Sequence, residues 1–109
     1  MGKLIKGDVV VIPFPFSDLT SSKRRPAFVL ANLEGNDIIL CQITGKQRKD
    51  RYAIELKESH FEEGNLNRIS HIRPNRIFTA DSKLICYKIG KVIPGKIKEV
   101  QDIIFKIFS

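Results

Sequence analysis

The sequence predicts a mainly β protein: a small, strongly bent antiparallel sheet or partly open barrel with one C-terminal α-helix. Three observations carry this reading. Short β-branched runs recur with few residues between them, turn-forming residues separate the runs, and the apolar period changes from strand-like to helical after Pro94. In such a fold the strand ends and loops form the natural binding face.

Val9 to Ile12 is β-branched and is ended by Pro13-Phe14-Pro15, so a first strand spans about residues 8 to 13 and then bends. A polar loop follows. Ala27 to Ala31 makes a second strand, Gly35-Asn36-Asp37 is a turn signal, and Ile38 to Thr44 makes a third strand, nearly all apolar until Gln42. Gly45 to Arg51 reads as a basic loop, and Tyr52 to Leu56 as a more exposed strand. Ile69 to Phe78 is a further strand interrupted near Pro74, with Ala80-Asp81-Ser82 a turn or short helical piece. Leu84 to Val92 is the last strand, with Gly90 a bulge candidate. From Pro94, Ile97, Val100, Ile103, Ile104 and Ile107 recur at spacings of three and four, one face of a helix that begins at a proline suited to its first turn.

With 109 residues the chain is one domain, residues 1 to 109, large enough for a real core. No repeat or low-complexity segment interrupts it. The balance of 19 Lys and Arg against 12 Asp and Glu gives +7, which favours a polyanionic partner such as RNA or DNA. Five of the acids, Asp50, Glu55, Glu58, Glu62 and Glu63, cluster together, and this region is expected to lie off any polyanion path. Cys41 and Cys86 fall in separate apolar runs and read as buried reduced thiols. No stretch reaches the ~20 apolar residues of a membrane helix, and the N-terminus lacks a signal-peptide core, so a cytoplasmic protein is expected.

Three positions draw chemical attention, each beside a plainer reading. Lys23-Arg24-Arg25-Pro26 sets cations at a strand entrance, where Pro26 fixes Arg25 and its planar fork of donors suits a phosphate; a solvated basic turn is the alternative. The Thr44 hydroxyl ends the third strand where a ligand would meet the backbone, or it is simply a β-branched residue before a glycine turn. His71 has an ambiguous face and is by default a surface or hydrogen-bonded histidine. His60 and Glu63 have the spacing of a metal pair, but no third ligand is evident, and neither metal nor cofactor is expected. Hydrolase-elbow, Walker and dinucleotide-binding motifs are missing, which leaves protease, NTPase and dehydrogenase readings without support.

Taken together, Gly7-Asp8-Val9-Val10-Val11, Arg25-Pro26-Ala27-Phe28-Val29-Leu30 with Asn32, Ile43-Thr44, His71-Ile72-Arg73 and Ile89-Gly90-Lys91-Val92 before an amphipathic helix resemble the MazF/PemK toxins of type II toxin-antitoxin modules. The resemblance implies an SH3-like barrel, a homodimer, and a metal-independent endoribonuclease that cuts single-stranded RNA to 2′,3′-cyclic phosphate and 5′-hydroxyl ends. It also implies a cognate antitoxin, expected to be acidic. By the same resemblance Arg25 and Thr44 are the cleavage residues, and Ser17, Lys23, Arg24, Lys46, His71 and Arg73 are RNA contacts. His71 stands where many relatives carry glutamine, and a role as base or RNA contact is open to it. Two features depart from the family pattern: the serine-rich loop Phe16 to Lys23, and Pro74 in place of a threonine after the Ile-Arg pair. A non-catalytic protein on the same scaffold, binding nucleic acid or inhibiting gyrase, is the competing reading.

Overall fold

In the computed structural model, which describes residues 3–14, 23–45 and 50–109, the β-branched runs become seven antiparallel strands of one curled sheet, a half-barrel. The strands are β1 (Asp8–Phe14), β2 (Lys23–Asn32), β3 (Asp37–Thr44), β4 (Ile54–Leu56), β5 (Phe61–Glu63), β6 (Ser70–Asp81) and β7 (Tyr87–Val92), and the helix α1 spans Pro94–Ile107. Their spatial order is β4-β6-β3-β2-β1-β7-β5. The predicted mainly β half-open barrel with a C-terminal helix is therefore the observed one.

Strand alternation sends neighbouring residues to opposite faces, and both faces of the sheet centre are buried. Val10, Ile12, Ala27, Val29, Ile38 and Leu40 pack on one face with Leu4 and Ile85. Val9, Phe28, Cys41, Ile43, Ile54, Leu56, Ile72 and Val92 pack on the other, beneath Val100 of α1. Burial on both sides explains why β1 and β3 read as near-continuous apolar runs rather than alternating ones. Phe28, only 1% exposed, is the largest fully buried side chain.

Helix α1 covers the second face. Ile97, Ile103 and Ile104 pack against it beside Val100, while Lys98, Glu99, Gln101, Asp102 and Lys106 stay exposed, as the period requires. Pro94 occupies the first turn, where its missing N–H costs nothing. Lys96 is buried, its ammonium 3.2 Å from Glu99 Oε1.

Two irregularities shape the sheet. On β3, Cys41 pairs with Ile77 but Gln42 pairs with Arg73, so Pro74, Asn75 and Arg76 form a bulge within an otherwise continuous β6. A proline, which cannot donate to a ladder, is tolerated where the ladder is broken. The predicted interruption is thus a bulge, and the strand runs on to Asp81. On β1, Val9 pairs with Gly90 and Val10 with Lys88, which makes Ile89 the bulged residue. Gly90 serves a different need: a Cβ there would collide with the Glu63 carbonyl oxygen and crowd Gly64, where β5 leaves β7. Gly90→Ala is expected to destabilise the fold by about 1–3 kcal/mol through forced backbone movement, read as a lower urea midpoint.

Other differences are local. β2 starts at Lys23, four residues before the predicted strand, so Arg25 lies inside the strand and not at its entrance. β7 starts at Tyr87, after a 3-10 turn Ser82–Leu84 whose backbone is capped by the Asp81 carboxylate. Cys41 is buried, and burial pushes its thiol up, whereas Cys86 is half-buried in the turn before β7. β5 was not anticipated: three residues, two of them exposed acids, carry no periodic signal.

Candidate functional site

The sheet register brings the two proposed cleavage residues together. Arg25 pairs with Ile12 of β1, and Thr44 pairs with His71 of β6. Between them, β2 and β3 pair Ala27 with Gln42. That pair is the last of the β2–β3 ladder toward this end, so Arg25 and Thr44 each lie two residues beyond it, at the same end of the sheet and on the same face. On the far side, His71 pairs with Glu55 of β4. The side chains Thr44, His71 and Glu55 therefore form a row across three strands, with opposing Cβ atoms about 4.5–5.5 Å apart in such ladders, and Arg25 lies on the next strand at the same end.

The face of this row follows from its neighbours. Ile43, Ile72 and Ile54, one residue away on each strand, pair across the same ladders and lie in the core beneath α1. The row must point to the opposite face. That resolves the ambiguity of His71: Ile72, not His71, is its strand's core residue. Nearer the sheet centre this face is apolar, with Ala27, Val29 and Leu40; toward the β3 end it turns polar.

The members differ in accessibility. Lys23, Arg24 and Arg25 are exposed, and Thr44 and His71 are half-buried. By alternation Lys23 shares the face of Arg25 and Arg24 does not, so the basic tetrapeptide divides between two faces. A guanidinium with five donors next to a hydroxyl can hold the oxygens of a phosphodiester, and the half-buried surroundings strengthen those contacts. The Nδ1 of His71 is buried, with no hydrogen-bond partner among the described residues. Ser17 and Lys46 lie outside the described residues.

Arg73 occupies a different environment from that expected of an RNA contact. It is 8% exposed, and its Nε and Nη2 each lie 3.2 Å from Asp50 Oδ2. Oδ1 of Asp50 accepts the Tyr52 backbone N–H at 2.9 Å. That backbone bond first, then the Arg73 guanidinium and Asn75, hold the Asp50 carboxyl below its ordinary value against the opposing effect of burial. Arg73 pairs opposite Gln42, two residues inward from the Thr44–His71 pair. The ion pair thus ties Asp50, just before β4, to the strand that carries His71.

The expectation that the acidic stretch lies away from the site does not hold. The chain folds β4 onto β6, which sets Glu55 beside His71 and Asp50 against Arg73. Arg68 is a residue the sequence reading missed: its Nη2 donates to the Gly45 carbonyl at 3.1 Å, next to Thr44. Only the close approach of the β5–β6 connection to the end of β3 reveals it. His60 is elsewhere and structurally engaged, its Nδ1 accepting the Lys57 N–H at 3.1 Å. Burial, then the Lys96 and Lys57 charges, lower its pKa. Among the described residues no group of three or more His, Cys, Asp or Glu is placed to hold a metal ion.

Comparison with known proteins bears on the family and the fold. Residues 5–108 match the family model described as PemK-like, MazF-like toxin of type II toxin-antitoxin system. Among solved structures, an endoribonuclease in complex with its cognate antitoxin from Mycobacterial species superposes with a TM-score of 0.77 at 12% identity, covering 97% of this chain and 95% of that one. The toxin MazF-mt6 of Mycobacterium tuberculosis gives 0.73 at 14% identity, covering 93% and 95%. The MazE-MazF structure from Deinococcus radiodurans gives 0.74 at 14% identity, covering 100% and 98%. At these identities the likeness establishes a shared fold. No curated protein matches the sequence.

Proposed function

Given that the chain belongs to the PemK-like, MazF-like toxins of type II toxin-antitoxin systems, we propose that it is a sequence-selective endoribonuclease acting on single-stranded RNA. The observation that supports this reading is the placement of Arg25 and Thr44 on one face of adjoining strands, each two residues beyond the Ala27–Gln42 pair. Charge supports it as well, since +7 on a domain of 109 residues attracts RNA, and Lys23 shares the face of Arg25.

The chemistry follows from what these side chains can do. The ribose 2′-hydroxyl attacks the adjacent phosphorus, the bond to the 5′-oxygen breaks, and a 2′,3′-cyclic phosphate and a 5′-hydroxyl result. Negative charge grows on the phosphoryl oxygens as the new bond forms. Arg25 donates to them through its planar fork and Thr44 through its hydroxyl, so stabilisation arises from prealigned donors. Arginine, protonated at any ordinary pH, holds charge and does not accept the proton. Lys23, on the face of Arg25, steers the RNA backbone, with Arg24 contributing to the general field.

Around this activity we place a homodimer, a cytoplasmic setting and an antitoxin partner. The antitoxin is expected to be acidic and partly disordered, since such a chain complements a basic face and folds upon it. Among the described residues no helix is long and apolar enough to cross a membrane.

The test is cleavage of a long RNA in excess EDTA, followed by mapping of the sites and analysis of the new ends. Discrete cuts bearing cyclic phosphate are expected. An oligonucleotide with a single 2′-deoxyribose at the mapped site should survive, and its cleavage would exclude the 2′-hydroxyl as nucleophile. Tight RNA binding without new ends would favour a non-catalytic protein on the same scaffold.

A further inference from the structure

We propose that His71 is the general base of the cleavage reaction and that Glu55 is the carboxylate that orients it. The proposal rests on the endoribonuclease reading above and adds to it the group that receives the proton. Arg25 and Thr44 supply donors only, so the reaction as derived has charge stabilisation but no acceptor for the 2′-hydroxyl proton.

Three observations converge on His71. Its ladder position is directly opposite Thr44, on the exposed face that carries Arg25. A group there lies within one side chain's length of a phosphodiester held by those two residues. Its Nδ1 is buried and without a partner among the described residues, although a buried ring nitrogen ordinarily has one. And Glu55 lies directly opposite on the other side, the one carboxylate of the row. A carboxylate accepting the Nδ1 hydrogen fixes the tautomer whose Nε2 lone pair faces the substrate.

Glu55 is available for this. Its present partner is Lys57, with Oε1 and Nζ 3.9 Å apart and both side chains about half exposed. Such a surface pair contributes little and is readily exchanged. The proposal requires the Glu55 side chain to leave Lys57 and turn toward His71, its ladder partner.

The charged groups around His71 are then few. β2 contributes Arg25 with Lys23 beyond it, β4 contributes Glu55 with Lys57 beyond it, β3 contributes the neutral Thr44 and Gln42, the β5–β6 connection contributes Arg68, held on the Gly45 carbonyl, and on β6 itself Arg73 is already paired with Asp50. The proton balance closes with these groups and water. The 2′-oxygen bonds to phosphorus while its proton passes to His71 Nε2. The 5′-oxygen leaves phosphorus and takes a proton from water, and the imidazolium returns its proton to the resulting hydroxide. Histidine suits the task because its ordinary pKa of about 6.5 lies near the operating pH.

The experiment measures kcat against pH at saturating oligoribonucleotide for wild type, His71→Gln, His71→Ala, Glu55→Gln and Arg25→Ala, with thermal unfolding of each. The wild-type rate is expected to rise with pH through the histidine range and then level. H71Q should keep its fold, lose about 10²- to 10⁴-fold in rate, and lose the rising limb. Added imidazole should restore part of the H71A rate, an outcome a purely structural histidine would not give. Removing the Glu55 carboxylate removes a charge that favours the imidazolium, so the limb of E55Q should move to lower pH.

H71Q with the wild-type limb and a rate within about threefold would overturn the proposal, leaving the nuclease reading intact if R25A is inactive. Should both variants at 71 fail to fold, an unshifted limb in E55Q overturns it. No cleavage by wild type removes both readings.

Discussion

Arg25→Ala is expected to slow RNA cleavage about 10²- to 10³-fold at saturating RNA, the cost of losing one prealigned donor to a developing oxyanion. The fold should not notice: Arg25 is exposed on β2, and the ion pairs among the described residues do not include it. Its removal should change unfolding free energy by no more than about 0.5 kcal/mol, as for surface substitutions generally. A rate loss of that size equals about 2.7–4 kcal/mol of transition-state stabilisation, so activity and stability separate cleanly. Lysine at the same position keeps the charge but not the two-pronged fork. R25K should therefore recover part of the RNA affinity and much less of kcat. Single-turnover cleavage with urea unfolding checks both, and an R25A variant cleaving at the wild-type rate would remove Arg25 from the reaction.

Why the sequence led to Arg25 and Thr44 but not to their surroundings has a physical explanation. Strand composition, turn residues and the helical period are local properties, and they located β1, β3 and α1 to within a residue or two. Register is not local. Nothing in the run Ala27 to Ala31 states that β2 begins at Lys23, or that Ala27 meets Gln42 and so sets Arg25 and Thr44 at one end of the sheet. The Thr44–His71–Glu55 row depends on β4 folding onto the outer side of β6, a long-range choice set by burying Ile54 and Leu56 rather than by any motif. The same choice undid the expectation that the acids lie apart from the site. Arg73 was legible as a basic residue within a family motif, yet its burial against Asp50 required the bulge at Pro74 and the placement of Asp50 just before β4.

That buried pair supports the second large effect. Asp50→Ala should destabilise the fold by about 3–5 kcal/mol, because it strands the Arg73 guanidinium in a site where both side chains are about nine-tenths buried. The loss comes from the charge left unpaired, not from the worth of the pair itself. D50A combined with Arg73→Met should therefore recover most of the stability, since an apolar side chain of similar length needs no counter-charge. The penalty has a pH signature. The Asp50 carboxyl titrates lower in the folded protein than in the unfolded chain, held there by the Tyr52 N–H, Arg73 and Asn75. Its contribution is fully present above the ordinary carboxylate pKa of about 3.9 and is lost as pH falls through the lower folded value. The gap between wild type and D50A should thus be widest near neutrality and close in acid. Urea unfolding of the two proteins and the double variant from neutral to acid pH measures it. A D50A variant as stable as wild type near neutrality would mean that water reaches Arg73 and the pair is solvated. Because Arg73 stands two residues from His71 on the same strand, cleavage by D50A should fall too, in proportion to how far the β3 end loosens, while D50A/R73M regains rate together with stability.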